Sequence, residues 1–321
     1  MANYVKDRLM NYVIKPYVEE TRKSGGRHPS SASVKYKNGH GEVVTAGKCL
    51  RQQYYQQTGA PQEERVDFGL TMKARAGDVW SDYFAERIKE AGFWMGDEVR
   101  FYNEQLNLSG RVDAIVREEG TNKKVGVEFK TVGMFTKKGK IKHTASDPLA
   151  PGEDHVMQVM LYLYHWIPLG IDKFSIVYVC RDSFEIGEHV VRLETGEDGF
   201  HYPVISNDMG VVEWKHLRLE DIITRWQELE LAVKDNEVPD RDYEIQYSNT
   251  KIKALYDTGR LNKTNKAKVD RAIKKGELTD DGPPAIEGFG DWQCRFCAFA
   301  THCYAVKHSS QDVAPEQFES L

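Results

Sequence analysis

The amino-acid sequence predicts an α/β or α+β fold in which a mixed sheet is flanked by helices. Apolar and polar residues alternate with period two in three consecutive runs, which are residues 98–106, 110–117 and 124–131. A run with apolar residues at helical spacing, 153–167, comes next, and two further strand-like runs, 173–180 and 187–194, follow it. Helical patterns also lie towards both ends of the chain, so we expect helices on either side of the sheet.

Three helical patterns precede the first of these strands. Residues 4–20 carry apolar side chains at helical spacing, and the Gly- and Ser-rich stretch after them, Ser24 to Ser33, predicts a surface loop. Residues 48–57 predict a short helix. A longer helix is expected from Phe68 to Ala91, ending at Gly92.

The chain after the third strand predicts a loop over residues 133–152 and, further on, a helix over 213–235. We therefore divide the sequence into three regions. These are an N-terminal helical segment (1–67), a core (68–200) and a C-terminal helical region (201–321).

Composition limits the classes of function that are compatible with the chain. It has 321 residues, 40% of them apolar, and a net charge of −5, so any contact with nucleic acid has to come from local basic surface. Charges run through the first twenty residues, and no apolar run reaches the roughly 18 residues that span a bilayer. We expect a cytoplasmic protein without a secretory signal or membrane span. Its five cysteines indicate metal ligation or buried thiols rather than disulfides.

Two charged strand residues and a third across a hairpin form the first candidate site. Asp113 interrupts an apolar strand, and the strand after it reads Val127-Glu128-Phe129-Lys130. Side chains alternate along a strand, so Glu128 and Lys130 share one face and Phe129 points to the other. If the strands pair, Asp113 can meet Glu128. Two carboxylates at one point suit Mg²⁺ or Mn²⁺, and Lys130 beside them can offset the negative charge of a phosphoryl transition state.

The alternative interpretation is a surface hairpin with a cross-strand salt bridge, because a single Glu-x-Lys triplet is common. The helix predicted over 153–167 favours the site. It places His155, Gln158 and Tyr162 on one face directly after the Glu-x-Lys strand. The same stripe in an ordinary core helix, with satisfied polar groups, is the competing explanation.

The C-terminal segment has three cysteines within ten residues, in a C-x2-C-x5-C pattern formed by Cys294, Cys297 and Cys303. Tetrahedral zinc and a 4Fe-4S cluster both need four ligands, so one has to come from elsewhere. Cys49 is our preferred fourth ligand. Cys180 ends an apolar strand and is predicted to be a buried thiol. A zinc knuckle with His302 as the fourth ligand is the alternative.

Local basic stretches are the candidate contacts for DNA phosphates. Residues 251–275 carry nine Lys and Arg residues against two Asp, and Lys263, Lys266 and Lys268 lie at their centre. Lys137 and Lys138 contribute positive charge to the 133–152 loop. Arg51 is a further candidate DNA contact, and Tyr54 and Tyr55 beside it could stack on unpaired bases. A solvated helix face and an exposed loop are the competing interpretations of the two lysine groups.

These motifs, in this order, resemble the RecB-like branch of the PD-(D/E)XK nucleases. More narrowly, they are similar to those of the iron–sulfur exonucleases of the CRISPR-associated adaptation type and their bacteriophage relatives. The matching residues cover about residues 47–303 and are Asp113, Glu128-Phe129-Lys130, Gln158-x-x-x-Tyr162, Cys49-Leu50-Arg51 and the three C-terminal cysteines.

The resemblance implies a restriction-endonuclease-like sheet core whose N- and C-terminal helical segments are joined by a 4Fe-4S cluster on Cys49, Cys294, Cys297 and Cys303. It implies that Asp113, Glu128 and the backbone carbonyl of Phe129 bind Mg²⁺ or Mn²⁺ and that Lys130 is catalytic. Gln158 and Tyr162 would orient DNA near the metal. The resemblance also implies the alternative that Arg51 and its neighbours pack around the cluster instead of contacting DNA. The partners implied are DNA ends and a protein of recombination or CRISPR adaptation.

One departure from the family pattern concerns the helix before the first strand. Relatives have a His or Glu there as a further metal ligand, but the corresponding position here is Ser81, with Asp78 and Asp82 nearby. This departure motivates a second hypothesis, a DNA-binding module whose nuclease core has decayed. A zinc-stabilised interaction protein is the third. The sequence leaves open the polarity of digestion, the strand preference, the pathway and the oligomeric state.

Overall fold

A computed structural model describes residues 27–63, 68–134, 136–143, 149–280 and 282–305. The helix expected over residues 4–20 lies outside these ranges. The strands are β1 (Ser33–Lys37), β2 (Val43–Gly47), β3 (Trp94–Asn103), β4 (Leu108–Arg117), β5 (Lys124–Val132), β6 (Phe174–Cys180), β7 (Ile186–Thr195), β8 (His201–Asn207) and β9 (Gly210–Glu213). The helices are α1 (Leu50–Thr58), α2 (Phe68–Glu90), α3 (Glu153–Trp166), α4 (Leu219–Asp235), α5 (Asn249–Asp257), α6 (Lys263–Lys275), α7 (Trp292–Arg295) and α8 (Ala300–Ala305).

Seven of the strands form one mixed sheet in the order β3-β4-β5-β6-β7-β8-β9. All neighbouring strands in it pair antiparallel except β5 and β6, which are parallel. A parallel pair needs a crossover connection, and α3 lies in the segment that supplies it. The prediction of a mixed sheet flanked by helices is confirmed.

Helix α3 is the most deeply buried helix of the sheet unit. Glu153 and Asp154 occupy its first turn, where negative charge complements the helix dipole, and Pro168 follows its last turn. Its apolar residues from Val156 to Leu163 are completely buried, because the helix packs between the sheet on one side and residues 29–31 with β2 on another. Gly126 of β5 is required on this face, because a Cβ there would lie 2.1 Å from the ring of Phe174 on β6.

Helix α2 packs on the other face of β5. The Phe84 ring of α2 stacks on the Phe129 ring with centroids 5.6 Å apart, and Gly77 lies against the Thr131 side chain. Phe129 and Thr131 therefore face α2, whereas their neighbours Glu128 and Lys130 face α3. Two layers of helices cover the two faces of this strand, as binary patterning requires of a buried strand.

The structure differs from the sequence prediction at two places. Residues 33–47, within the segment expected to be helical, form the β1–β2 hairpin. Residues 201–213, assigned to the C-terminal helical region, form β8 and β9, and helix α4 begins at Leu219 instead of 213. Both sets of strands are short and carry polar residues or Pro203, so their alternation is too brief to stand out.

The chain divides into two compact units, each made of two separate segments. The sheet unit comprises Met1–Lys48 and Val66–Leu231, and the second unit comprises Cys49–Arg65 and Ala232–Leu321. In the sheet unit, the core surrounds α3. In the second unit, Ile252, Val269, Leu278 and Phe289 form a separate small core.

The second unit joins an early and a late part of the sequence directly. The backbone N–H of Leu50 donates to Asp242 Oδ2 at 2.7 Å, and that of Thr301 donates to Glu63 Oε1 at 3.1 Å. Such long-range contacts agree with the expectation that N- and C-terminal segments meet. Within the part of the chain that the structure describes, no helix combines the length and apolarity that crossing a bilayer takes.

Candidate functional site

The β4–β5 ladder stops where the predicted acidic residues begin. Its last backbone pair towards the site is Ala114 with Val127. One step further, the backbone N–H of Phe129 donates to Oδ2 of Asp113 at 2.8 Å. The Asp113 side chain thus accepts a hydrogen bond where the backbone ladder would otherwise continue, and β4 and β5 separate around its carboxylate. The structure brings Asp113 and Glu128 together, as their positions on adjacent strands suggested.

Glu128, Lys130 and Gln158 form one hydrogen-bonded network on the α3 side of β5. Lys130 Nζ lies 2.6 Å from Glu128 Oε1 and 3.0 Å from Gln158 Oε1. Gln158 Nε2 donates to Glu128 Oε1 at 2.8 Å and to the Tyr162 hydroxyl at 2.7 Å. The Tyr162 hydroxyl in turn donates to the carbonyl of Arg111 at 3.0 Å. The glutamine and tyrosine on α3 therefore connect β4 and β5 through side-chain hydrogen bonds.

The ionisable groups of this network are largely buried, and burial together with their mutual charges shifts their pKa values. Burial and the adjacent Glu128 charge raise the pKa of Asp113 to about 7. Burial opposes the charged form of Lys130, but the Glu128 carboxylate outweighs it and holds the pKa of that ammonium above its usual value. The lysine is therefore a fixed positive charge at neutral pH. Burial, followed by the Glu128 charge, raises the pKa of Tyr162, so its hydroxyl stays protonated.

One oxygen of this network is left without a partner in the described part of the chain. Glu128 is only 4% exposed, and both of its hydrogen bonds fall on Oε1, whereas Oε2 is buried without a hydrogen bond. An unsatisfied buried carboxylate oxygen is costly, and native structures seldom keep one without a function or a bound ion. Hard oxygen donors of this kind fit Mg²⁺ or Mn²⁺. Within the described ranges, no three His, Cys, Asp or Glu side chains are already arranged to hold an ion.

His155 of α3 and Tyr178 of β6 form a second, separate hydrogen-bonded pair. The Tyr178 hydroxyl lies 2.6 Å from His155 Nδ1 and accepts the backbone N–H of Gly152 at 2.8 Å. Burial and the Lys130 charge lower the pKa of His155 to about 4, so the ring is neutral. The sequence pointed to His155 by helical spacing. It gave no signal for Tyr178, which is an ordinary strand residue until α3 is packed against it.

The further metal ligand suggested on α2 stays a prediction. Ser81 is half-buried and Asp82 is exposed, as is Asp78. Among the contacts of the described residues, none connects these side chains with Asp113 or Glu128. The role of the Phe129 carbonyl as a ligand stays a prediction.

Two further residues, Glu98 and Arg111, belong to this site and were missed from the sequence. Glu98 on β3 lies beside Asp113 on β4, between the pairs Asp97 with Ala114 and Val99 with Val112. Its carboxylate is 2.5 Å from the Arg111 guanidinium, and its charge also raises the pKa of Asp113. Glu98 has φ of 52°, a conformation that a sequence pattern does not reveal in a residue other than glycine.

The four predicted cluster cysteines line one cavity of the second unit. Cys49, Cys294, Cys297 and Cys303 surround it together with Arg51, Arg241 and several tyrosines. Burial raises the pKa of Cys49 to about 11 and that of Cys294 to about 12, so both are thiols until a metal displaces their protons. Four sulfur donors with two guanidinium groups around them fit a metal cluster with net negative charge.

Cys180 and His302, the other candidates for the fourth ligand, lie elsewhere. Cys180 is completely buried in β6 of the sheet unit, as expected of a core thiol. His302 is not among the residues that line the cavity, and its ring packs edge-on against Tyr55 with centroids 4.9 Å apart.

Arg51 was suggested as a DNA contact, and this interpretation is wrong. The side chain is 1% exposed, its Nε donates to the Pro239 carbonyl at 2.5 Å and its Nη1 lies 3.9 Å from Cys303 Sγ. The alternative interpretation, that Arg51 packs around the cysteines, is confirmed. Tyr54 and Tyr55 are also buried and cannot stack on bases.

The lysines suggested as DNA contacts differ in their ion pairing and in their exposure. Lys137 is paired with Glu185 and also lies 3.3 Å from the Ser183 hydroxyl, whereas Lys138 is exposed. Lys263, Lys266 and Lys268 are exposed on α6, which buries Val269 and Ala272 in the second unit.

Comparison with known proteins identifies no family for the chain. No family model matches it, and no curated protein matches it. Among solved structures, it is similar to the crystal structure of SSO0001, with 18% sequence identity and a TM-score of 0.41. That alignment covers 70% of this chain and 86% of the other.

Proposed function

We propose that this protein is a Mg²⁺- or Mn²⁺-dependent DNA exonuclease with a restriction-endonuclease-like, RecB-like core. The observation that carries the proposal is the buried network of Asp113, Glu128, Lys130 and Gln158. It holds two carboxylates at the point where β4 and β5 separate, and it leaves Glu128 Oε2 free for a ligand. The resemblance of these residues to the PD-(D/E)XK pattern supports the same proposal.

In this proposal each residue of the network has a separate task. Asp113 and Glu128 would hold the cation, with the Phe129 carbonyl as a third donor. When bound, the cation would polarise a phosphodiester oxygen and lower the pKa of a water ligand. Lys130, kept charged by Glu128, would stabilise the negative charge that grows on the phosphoryl group. Gln158 would hold Lys130 and Glu128 in place and Tyr162 would anchor Gln158, so that both orient the DNA strand indirectly.

We propose that the four cysteines hold a structural 4Fe-4S cluster. Their common cavity supports four sulfur ligands, and the position of His302 outside the lining argues against the zinc knuckle that would use it. Such a cluster would connect α1 with the C-terminal cysteines, which lie about 240 residues later, and would stabilise the second unit by restricting its unfolded chain.

The proposed substrate is DNA with free ends, contacted through phosphates by the exposed lysines of α6. The proposed setting is recombination, repair or CRISPR-type adaptation in the cytoplasm of a bacterial, archaeal or phage-infected cell. A protein partner from such a pathway is part of the proposal.

End-labelled single- and double-stranded DNA, incubated with the purified protein and Mg²⁺ or Mn²⁺, tests this function. We expect shortening from the ends that Asp113→Ala abolishes. Intact ends for both substrates with either metal would contradict it.

A DNA-binding module without catalysis is the second candidate. It is favoured by one observation, that Ser81 stands where the resembled family carries a His or Glu. It predicts DNA affinity that Lys130→Ala leaves unchanged and no cleavage in the assay above.

A further inference from the structure

We propose that Glu98 is a third acidic ligand of the divalent-cation centre that Asp113 and Glu128 form. The inference rests on the proposed function, because it concerns the same cation. It gives the site a ligand from β3 in place of one from helix α2. The centre would then take one carboxylate from each of three adjacent strands.

The strand register places the three carboxylates side by side. Glu98 is the β3 residue between the pairs Asp97 with Ala114 and Val99 with Val112, so it faces Asp113 across the sheet. Glu128 is the β5 residue one step beyond the Ala114–Val127 pair, so it lies on the other side of Asp113. Facing residues on neighbouring antiparallel strands are about 4.5–5.5 Å apart at Cα, within reach of a shared cation.

The backbone of β3 departs from regular strand geometry at Glu98. In a regular strand Asp97 and Phe101 would face the same side, but Asp97 lies 3.0 Å from Lys89 of α2 and Phe101 stacks on His165 of α3. The left-handed conformation of Glu98, with φ of 52°, lies where this change of face occurs. A glycine would adopt that conformation without strain, so a glutamate there indicates a use for the carboxylate.

A separate observation shows that the cluster has an unused acceptor. Oε2 of Glu128 is buried, and within the described chain it has no hydrogen-bond partner. Lys130 and Gln158 occupy only Oε1. Acidic residues alone would be an ordinary surface cluster, but the buried Oε2 of Glu128 is an acceptor that a bound cation would satisfy.

Arg111 is the partner that Glu98 has while no cation is bound. Its guanidinium lies 2.5 Å from the Glu98 carboxylate, and both side chains are about half exposed, at 52% and 42%. Exposed ion pairs of this kind are weak, so a rotation of the Glu98 side chain towards Asp113 costs little. The exchange would release Arg111 beside the site, where it could face a phosphate.

Binding of Mn²⁺ to the full-length protein, followed by the decrease of the free-ion EPR signal, tests the inference without an activity assay. We expect Glu98→Gln to raise the Mn²⁺ dissociation constant by about tenfold or more, because fewer charged ligands remain. Asp97→Asn is the matched control, a neighbouring carboxylate paired with Lys89, and should change it by no more than about twofold. Glu98→Gly should weaken Mn²⁺ binding similarly without lowering the melting temperature, which excludes misfolding as the cause.

Arg111→Met separates a ligand exchange from general electrostatics. It should tighten Mn²⁺ binding in the wild-type background more than in the Glu98→Gln background, whereas Arg100→Met should act equally in both. Unchanged affinity in Glu98→Gln, with affinity abolished in Glu128→Gln, would overturn the inference and leave the proposed function intact. Absence of saturable Mn²⁺ binding to the wild-type protein would overturn both.

Discussion

The backbone N–H of Phe129 donates to the carboxylate of Asp113 at 2.8 Å, at the position where the next rung of the β4–β5 ladder would form. This hydrogen bond fixes one oxygen of Asp113 and turns the gap between two strands into a site. It also explains why a residue flanked by apolar neighbours in its strand is acidic.

Lys130→Ala should reduce DNA cleavage by about 10²–10³-fold, because it removes the fixed charge nearest to the carboxylates. Single-turnover digestion of end-labelled DNA measures the effect. Lys124→Ala is the matched control, since Lys124 begins the same strand and is exposed. Equal rates for the wild-type protein and Lys130→Ala would contradict the role given to this lysine.

Asp113→Asn should stabilise the protein in EDTA at pH 8, by roughly 2 kcal/mol of unfolding free energy. The pKa of Asp113 is raised to about 7 in the folded protein, mainly by burial. Such an acid contributes stability below the pKa of the unfolded chain and loses it as the pH rises through 7. The gain should therefore grow as the pH rises from the unfolded-state pKa through 7, and it should be smaller at pH 5 than at pH 8.

Thermal unfolding at the two pH values measures this gain, with Asp97→Asn as the control without a buried carboxylate. A gain that is equal at both pH values would show that ionisation of Asp113 is not its cause.

Cys49→Ala should abolish the brown colour that a 4Fe-4S cluster gives, with its absorption at about 400 nm, in protein purified without oxygen. Cys180→Ala is the matched control, because Cys180 lies in β6 of the sheet unit and should leave the absorption unchanged. Iron and sulfide analysis accompanies the spectra. A colourless wild-type protein with stoichiometric zinc would replace the cluster by a zinc site.

Substitution of Lys263, Lys266 and Lys268 by Ala should weaken DNA binding equally for different sequences. For every phosphate that these lysines neutralise, the substitution should lower the slope of log affinity against log salt by about 0.9 for duplex DNA. Fluorescence anisotropy at several salt concentrations measures the slope. Lys251 and Lys253 are the matched controls, because their ammonium groups are paired with Glu244 and Asp280. An unchanged slope would show that these three lysines of α6 do not contact DNA phosphates.

Local periodicity predicted the parts of the site that lie on regular elements. Alternation along β5 placed Glu128 and Lys130 on one face and Phe129 on the other, and helical spacing placed Gln158 next to Tyr162. These relations need only the geometry of one strand or one helix. The structure has them as expected.

The remaining parts depend on irregular backbone and long-range packing. Glu98 could not be predicted from the sequence because its left-handed conformation breaks the period that marks a strand. For Arg51 the sequence left two alternatives, a DNA contact or packing around the cysteines, and the folded second unit places it among the cysteines. The hairpin at Ser33–Gly47 and the strands at 201–213 were too short to be separated from loops.

The second unit is made of two separate segments of the chain, and these emerge from a ribosome at different times. Residues 49–65 leave first, and the rest of the unit begins only at Ala232. At about 5–20 residues per second, synthesis of the intervening chain takes roughly ten to thirty seconds. Tyr54 and Tyr55 are buried in the finished protein, but their contacts with Asn236 and Phe299 cannot form during that interval. The early helix therefore completes its packing only after the second segment of the unit has been synthesised.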